Sequence, residues 1–349
     1  MITVNARCTC GAGEKFKATT IMRRDPGPND VLIDIAYAGI CHSDIEHARS
    51  MRGRTMYPLV PGHEIAGIVS AVGSKVTKFV VGDRVGVGNM VDSCRECRAC
   101  LAGLEQYCSG GRVVTYNAIG RDGQPTQGGY SQKIVVDEAF AVRIPEGIPL
   151  QNAAPLFCAG ITMYSPMRHW KAGPGKQVAI IGFGGLGHVG VQISRAFGAY
   201  TTVFDLSAVK RDDALRLGAD EYRVSTDARI FVDLANNFDL IVSTVPTTID
   251  LDAWFGLLAK DGTFVTLSIP EEKLTISPVS LLNNRRSLAG TRSGGLRETQ
   301  EMIDFCAAHS IGAEVEVIDA DRIDVAYERL LAGDVRYRFV LDIETMAKG

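Results

Sequence analysis

Four cysteines stand close together at Cys94, Cys97, Cys100 and Cys108, separated by two, two and seven residues in the run CRECRACLAGLEQYC. Thiolates two residues apart can converge on one ion as a turn folds back, and four of them complete the tetrahedral closed shell that a structural Zn²⁺ prefers. An iron–sulfur cluster also takes four thiolates and stays open as the alternative. Its bacterial pattern ends on a shorter gap and a Cys-Pro, whereas Ser109 follows Cys108 here.

Two further segments carry metal-ligand residue types, Gly39-Ile-Cys41-His42-Ser43-Asp44 and Pro61-Gly-His63-Glu64, and a third holds Cys158 in APLFCAGIT. A catalytic zinc needs three protein ligands and an open fourth position, which a set of two cysteines and one histidine leaves. Taken singly, each of these residues is more often core or surface than ligand.

A different chemistry is written in Gly182-Phe-Gly184-Gly185-Leu186-Gly187-His188, which follows the apolar run Val178 to Ile181 and opens a helical pattern. Glycines there let backbone approach a pyrophosphate, and the amides and dipole of the helix start hold the anion. Asp205 closes the next strand pattern at the distance where a carboxylate takes the adenosine ribose hydroxyls, which favours NAD over NADP. Ser207, Lys210 and Arg211 follow and would soften the repulsion of a 2′-phosphate, so NADP(H) is the alternative. Val245 and Ser268, the last residues of DLIVSTV and GTFVTLS, complete the cofactor-facing set.

The elements that must position these residues fall into two patterns. Residues 1 to about 150 carry short β-branched segments broken by glycine and proline, such as VLIDIA, IAGIVSAV and RVGV, which are strand and turn signals. From Lys176 the chain alternates strand and helix: QVAIIG, Val189 to Phe197, TTVFD, Asp213 to Leu217, DLIVSTV, GTFVTLS. That alternation implies a doubly wound parallel sheet. The pattern lapses near Arg286, and a tail with a helix at Glu298 to Ala308 and the strand YRFVLDI is read as returning to the first domain. An α/β protein of two domains is expected, 1–152 with 290–349, and 153–289, with a metal lobe at about 92–110.

Composition narrows the classes. The 349 residues are 46% hydrophobic and 22% charged, with 37 basic against 40 acidic side chains and a net charge of −3, so no basic face points to nucleic acid or to an acidic membrane surface. Neither a leader pattern nor an 18-residue apolar run is found. A cytoplasmic, reducing location is expected, in which nine cysteines point to metal ligation or catalysis before disulfides.

Together AGICHSD, VPGHE, the four-cysteine lobe, GGYSQ, APLFCAGIT, GFGGLGH, ETQEM and YRFVLD resemble the zinc-dependent medium-chain alcohol dehydrogenases, within them the cinnamyl-alcohol-dehydrogenase-like aldehyde reductases. The resemblance covers essentially the whole chain. It implies a GroES-like, β-rich catalytic domain joined to a Rossmann cofactor domain, with two Zn²⁺ per chain. Cys41, His63 and Cys158 match catalytic zinc ligands; Glu64 matches a carboxylate that some members swing onto the metal; Asp44 matches the partner of the His63 imidazole. Ser43 matches the relay hydroxyl that first accepts the alcohol proton. Relatives often place a histidine three residues past that hydroxyl, where this chain has Glu46 and then His47, so either residue could carry the proton outward. His42 and Arg338 match pyrophosphate contacts and Thr162 the nicotinamide face.

The activity implied is reversible hydride transfer between a nicotinamide cofactor and primary alcohols or aldehydes, aromatic or medium aliphatic, in a homodimer. Met51, Met90, Tyr116 and Ile269 are expected to line an apolar slot, and apolar slots discriminate weakly. A polyol or secondary-alcohol dehydrogenase on the same scaffold, and a catalytically dead zinc-binding scaffold, are the alternatives. Cys8, Cys10 and Cys306 have no partner motif.

Overall fold

The computed structural model describes residues 1–51, 53–270 and 272–348. Two compact units emerge, Met1–Ile161 with Gly294–Gly349, and Thr162–Ser293. Against the expected junctions after residues 152 and 289, the first unit also keeps Ala153–Ile161. Leu150–Ala153 and Ala154–Phe157 are helical and pack on the strands Asp30–Gly39 and Ile65–Val72, so the chain leaves this unit only after they are in place.

The first unit is built on a seven-stranded sheet. Its neighbours run Val315–Asp319, Arg338–Asp342, Asp30–Gly39, Ile65–Val72, Arg84–Val87 and Val142–Arg143, with Lys133–Asp137 also pairing Asp30–Gly39. Val31, Ile33, Ile35, Ile65, Val69 and Phe339 belong to its buried core, alternate residues turning inward as a half-covered sheet requires. The closing strand Arg338–Asp342 lies antiparallel to Asp30–Gly39 and parallel to Val315–Asp319. The lobe is a short excursion: Met90–Asp92 pairs Val113–Val114, with the one-turn helix Arg98–Leu101 between them.

The second unit is a six-stranded, fully parallel sheet in the order Glu221–Val224, Tyr200–Asp205, Gln177–Ile181, Phe238–Ser243, Leu258–Thr266, Ser287–Gly290. The order reverses direction beside Gln177–Ile181, the switch point where α/β sheets take ligands. The two outermost strands were not expected. Both are short edges, Glu221–Val224 with one buried residue and Ser287–Gly290 with none, so they carry little of the apolar run by which buried parallel strands are recognised. A domain boundary at 289 would cut the last one. Among the described residues no helix is long and apolar enough to cross a membrane.

Candidate active site

Cys41, His63, Glu64 and Cys158 come together in the first unit, their ligand atoms all within 4.8 Å of one another. Cys41 precedes the helix His42–Ala48, whose third residue, Asp44, is 0% exposed and accepts from the Cys41 backbone N–H at 2.8 Å. The same carboxylate accepts from Gly62 N at 3.2 Å and Tyr130 Oη at 3.4 Å, and lies 3.1 Å from His63 Nδ1. An acid on Nδ1 fixes the ring and leaves Nε2 as the free donor atom.

The sulfurs of Cys41 and Cys158 are 3.8 Å apart. A tetrahedral zinc with sulfur arms of about 2.3 Å sets its sulfurs about 3.8 Å apart, so the pair already has that spacing. Glu64 is fully buried. One of its oxygens pairs with Arg338, itself 3% exposed, while Oε2 is buried without a hydrogen-bond partner. A buried carboxylate oxygen left unsatisfied beside two sulfurs fits a cation.

The electrostatics match. Cys41 is held well below the usual thiol range by the hydrogen bond from Cys158, then by His63 and Arg338, and Cys158 is pushed up by the Cys41 sulfur. Burial opposes charge on His63, yet Asp44 and Cys41 raise it well above the usual histidine range. Burial pushes Glu64 up to about 7 against the pull of Arg338. A thiol pushed down and an imidazole pushed up at one buried place are the mark of a donor set for a divalent ion.

In the lobe the sulfurs of Cys94, Cys97, Cys100 and Cys108 also lie within 4.8 Å of one another. Cys97 to Cys100 is 3.5 Å and Cys94 to Cys100 is 3.9 Å. These spacings suit one ion. A [4Fe–4S] cluster gives each thiolate its own iron and a [2Fe–2S] cluster divides them two and two, so either would hold some of the sulfurs farther apart. Backbone N–H groups of Cys94, Cys97 and Cys100 donate to sulfur at 3.3, 3.3 and 3.5 Å. Such bonds, those from Cys100 and Ser109 above all, lower Cys97 to about 5.

In the second unit Gly182 follows the strand Gln177–Ile181 at φ 95°, and no atom stands within 4 Å of a Cβ built on Gly184. The turn therefore presents bare backbone at the switch point, ahead of the helix Gly187–Phe197, as a pyrophosphate requires. Asp205 ends the neighbouring strand, with its Oδ2 3.4 Å from Lys210 Nζ. Ser207 and Arg211 are exposed. Ser268 Oγ donates to Val245 O, tying the next two strand ends together, and Thr162 is half-buried in the helix Ala159–His169.

Other expected site residues are placed differently. The Arg338 guanidinium, expected at a pyrophosphate, donates from Nη2 to Glu64, a counter-charge that so deeply buried a cation needs. His42 is exposed, 3.9 Å from Glu46 Oε1. His47 Nδ1 meets Asn117 Nδ2 at 3.0 Å, and the Tyr116 ring stands edge-on to it at 5.4 Å. Ser43 is half-buried beside Cys41. Of the suggested pocket wall, Met90 and Tyr116 are buried while Met51 and Ile269 are more than half exposed. Tyr130 and Asn117 were missed, since each reaches the site from far along the chain.

Residues 27–146 match the alcohol dehydrogenase GroES-like domain and residues 185–320 the zinc-binding dehydrogenase domain. NADP-dependent alcohol dehydrogenase C of Mycobacterium bovis is 56% identical over 346 residues, 99% of this chain and 100% of that protein. This chain belongs to the zinc-dependent medium-chain alcohol dehydrogenases. Within that family it sits in the cinnamyl-alcohol-dehydrogenase-like branch. A cinnamyl alcohol dehydrogenase from Sorghum bicolor superposes with a TM-score of 0.95 at 40% identity over 98% of both chains. The Helicobacter pylori enzyme complexed with NADP(H) gives 0.92 at 40% identity, covering 98% of this chain and 99% of its own. The expected GroES-like and Rossmann architecture is the fold of this dehydrogenase.

Proposed function

We propose that this dehydrogenase interconverts primary alcohols and aldehydes with NADP(H), aldehyde reduction being its main direction, and that it carries one zinc at Cys41, His63 and Cys158 and another in the four-cysteine lobe. The observation that carries the reading is the convergence of two thiols at 3.8 Å, an imidazole held by Asp44 and an unsatisfied Glu64 oxygen. When bound, zinc supplies Lewis-acid stabilisation of the substrate oxygen and nicotinamide supplies or takes the hydride. The protein's own part is to keep the ligand atoms in register. Asp44 keeps the His63 proton on Nδ1, and Arg338 holds one Glu64 oxygen so that the other stays aimed at the sulfurs. Ser43 is the first proton acceptor in alcohol oxidation and the last donor in aldehyde reduction.

The choice of NADP(H) replaces the expectation of NAD. That expectation weighed the Asp205 charge above Ser207, Lys210 and Arg211 beyond it, but Lys210 Nζ stands 3.4 Å from the carboxylate. Lys210 offsets the carboxylate and Arg211 and Ser207 are exposed a few residues beyond, so a 2′-phosphate would meet more positive than negative charge from this stretch. The NADP-dependent relative and the NADP(H) complex of another support the same choice. Aromatic and medium aliphatic aldehydes are the proposed substrates, and a homodimer through the exposed edge strand Ser287–Gly290 belongs to the same reading.

The test is aldehyde reduction on benzaldehyde and a butanal-to-octanal series with NADPH and NADH in parallel, counting zinc per chain. NADPH should be preferred, and Lys210→Ala with Arg211→Ala should raise its KM by about tenfold or more, the worth of one or two charge-assisted hydrogen bonds, while sparing NADH. Preference for NADH in the unaltered protein would overturn the cofactor assignment. Absence of turnover with either, together with a single zinc, would overturn the enzyme reading.

A further inference from the structure

The strand Lys17–Arg23 ends on an arginine whose guanidinium is spent on one distant segment. Nε donates to Lys133 O at 3.0 Å and Nη1 to Gln127 O at 2.8 Å. Nη2 donates to Gly128 O and to Ser131 Oγ, both at 2.9 Å. A planar fork with several fixed N–H donors can clamp a bend of backbone this way, and an ammonium cannot.

The clamped segment in turn grips the residues just before His63. Gly128 N donates to Val60 O at 2.7 Å, Tyr130 N to Pro61 O at 2.9 Å and Gly129 N to Gly62 O at 2.8 Å. The contact is tight: Gly62 has φ 103°, and a Cβ there would stand 2.6 Å from the Tyr130 ring. From the same segment, Tyr130 Oη donates to the Asp44 carboxylate that fixes the His63 imidazole. One stretch of chain thus sets both the backbone leading into His63 and the angle of its ring.

We propose that Arg23 is a positioning residue for the His63 imidazole, holding it in register with Cys41 and Cys158 through the 127–133 segment. The inference rests on the reading of those three residues as a metal site. It assigns a place in the metal geometry to a residue that touches no ligand atom.

The experiment uses the full-length zinc enzyme with Arg23→Met, Arg23→Lys and Ser131→Ala, the last removing one of the four bonds. Zinc transfer to a colour-forming chelator is followed in time, with the visible spectrum of the cobalt-substituted protein and the melting temperature alongside. Unaltered protein should release zinc in two phases, one per site. Arg23→Met should speed the phase of the His63 site about tenfold, the low end of what outer partners of a ligand cost, shift the cobalt bands and leave the lobe phase alone. Arg23→Lys should fall between. A merely structural role would speed both phases together or neither, and either result in folded Arg23→Met overturns the proposal. Should Arg23→Met not fold, Ser131→Ala, which also removes the hydroxyl's bonds to Gly128 O and Lys133 O, decides: a His63-site phase faster by about twofold or more, part of the worth of a guanidinium hydrogen bond, supports it, and unchanged release overturns it. Unaltered protein that yields only the lobe phase would sink the metal-site reading itself.

Discussion

The two ligand clusters are built in opposite ways. Fourteen positions separate Cys94 from Cys108, whereas 117 separate Cys41 from Cys158. The lobe uses four ligands of one kind, mostly half-buried, with backbone N–H groups donated to the sulfurs. Four thiolates leave no position open. The other cluster mixes two sulfurs, an imidazole and a carboxylate, with the first three of its four residues buried, and it holds an oxygen no other group satisfies. Closed and local suits a staple of the chain; open, mixed and dispersed suits a site that must take in an exchangeable oxygen.

The sharpest way to break that comparison is one conservative change in each cluster. Cys41→Ser should lower kcat/KM by about a thousandfold or more, since Lewis-acid stabilisation is worth several kcal/mol of barrier, while the protein stays folded and loses one zinc per chain. Cys100→Ser should also lose one zinc, but its cost should appear as stability, with the melting temperature down by roughly 5–10 °C for about 3 kcal/mol of metal-linked folding energy. The activity of its folded fraction should change far less. Metal analysis, calorimetry and steady-state kinetics on both variants decide, and a well-folded Cys100→Ser protein without activity would erase the distinction.

A subtler change asks whether the dispersed cluster depends on its surroundings as the local one does not. Asp44→Asn keeps size, but its single amide oxygen can replace only one of the two carboxylate oxygens that accept from Cys41 N and Gly62 N, and it offers His63 Nδ1 no charge. The expected loss is about ten- to a hundredfold in kcat/KM, with zinc retained in the lobe and weakened at His63. Kinetics near the unaltered rate with full zinc would show that the carboxylate serves packing alone.

The same contrast explains what could be read before any coordinates. Local patterns were legible: the cysteine spacing, the glycine turn after an apolar strand, the strand–helix alternation. Cys41, His63 and Cys158 became a set only through the family resemblance, because no spacing rule links residues brought together by a sheet. Charges were harder. Arg338 reads, by resemblance, as a pyrophosphate contact, and its burial against Glu64, 274 positions away, cannot be seen in the sequence. Lys210 could be named near Asp205, but how strongly it offsets that carboxylate depends on their 3.4 Å approach, which sequence does not give. Tyr130, Asn117 and Arg23 were silent for the same reason: each acts through tertiary hydrogen bonds, and their immediate neighbours in sequence say nothing of the partner. The two edge strands escaped because short, solvent-facing strands lack the periodicity that reveals covered ones.

The smallest expected effect separates two neighbours on one helix. Asn117 Oδ1 accepts from Met56 N at 2.8 Å, which fixes the amide so that its NH₂ faces His47 Nδ1 at 3.0 Å. With a donor aimed at it, Nδ1 must be the unprotonated nitrogen, and adding a proton there would set two donors against each other. His47 is therefore held as one neutral tautomer and is a poor carrier. Glu46 Oε1 stands 3.9 Å from Nε2 of the exposed His42 ring, a route by which a proton can pass outward. Alcohol oxidation needs a proton acceptor in its basic form, so a rate that falls toward low pH is the signature of that acceptor. Glu46→Gln should flatten this limb and slow oxidation by less than about tenfold, short of a direct general base because water can take over part of the transfer. His47→Gln should leave the profile unchanged. The pH dependence of kcat/KM for oxidation by both variants is the check: a limb lost in His47→Gln but kept in Glu46→Gln would exchange their roles, and two unaltered profiles would remove both from the relay.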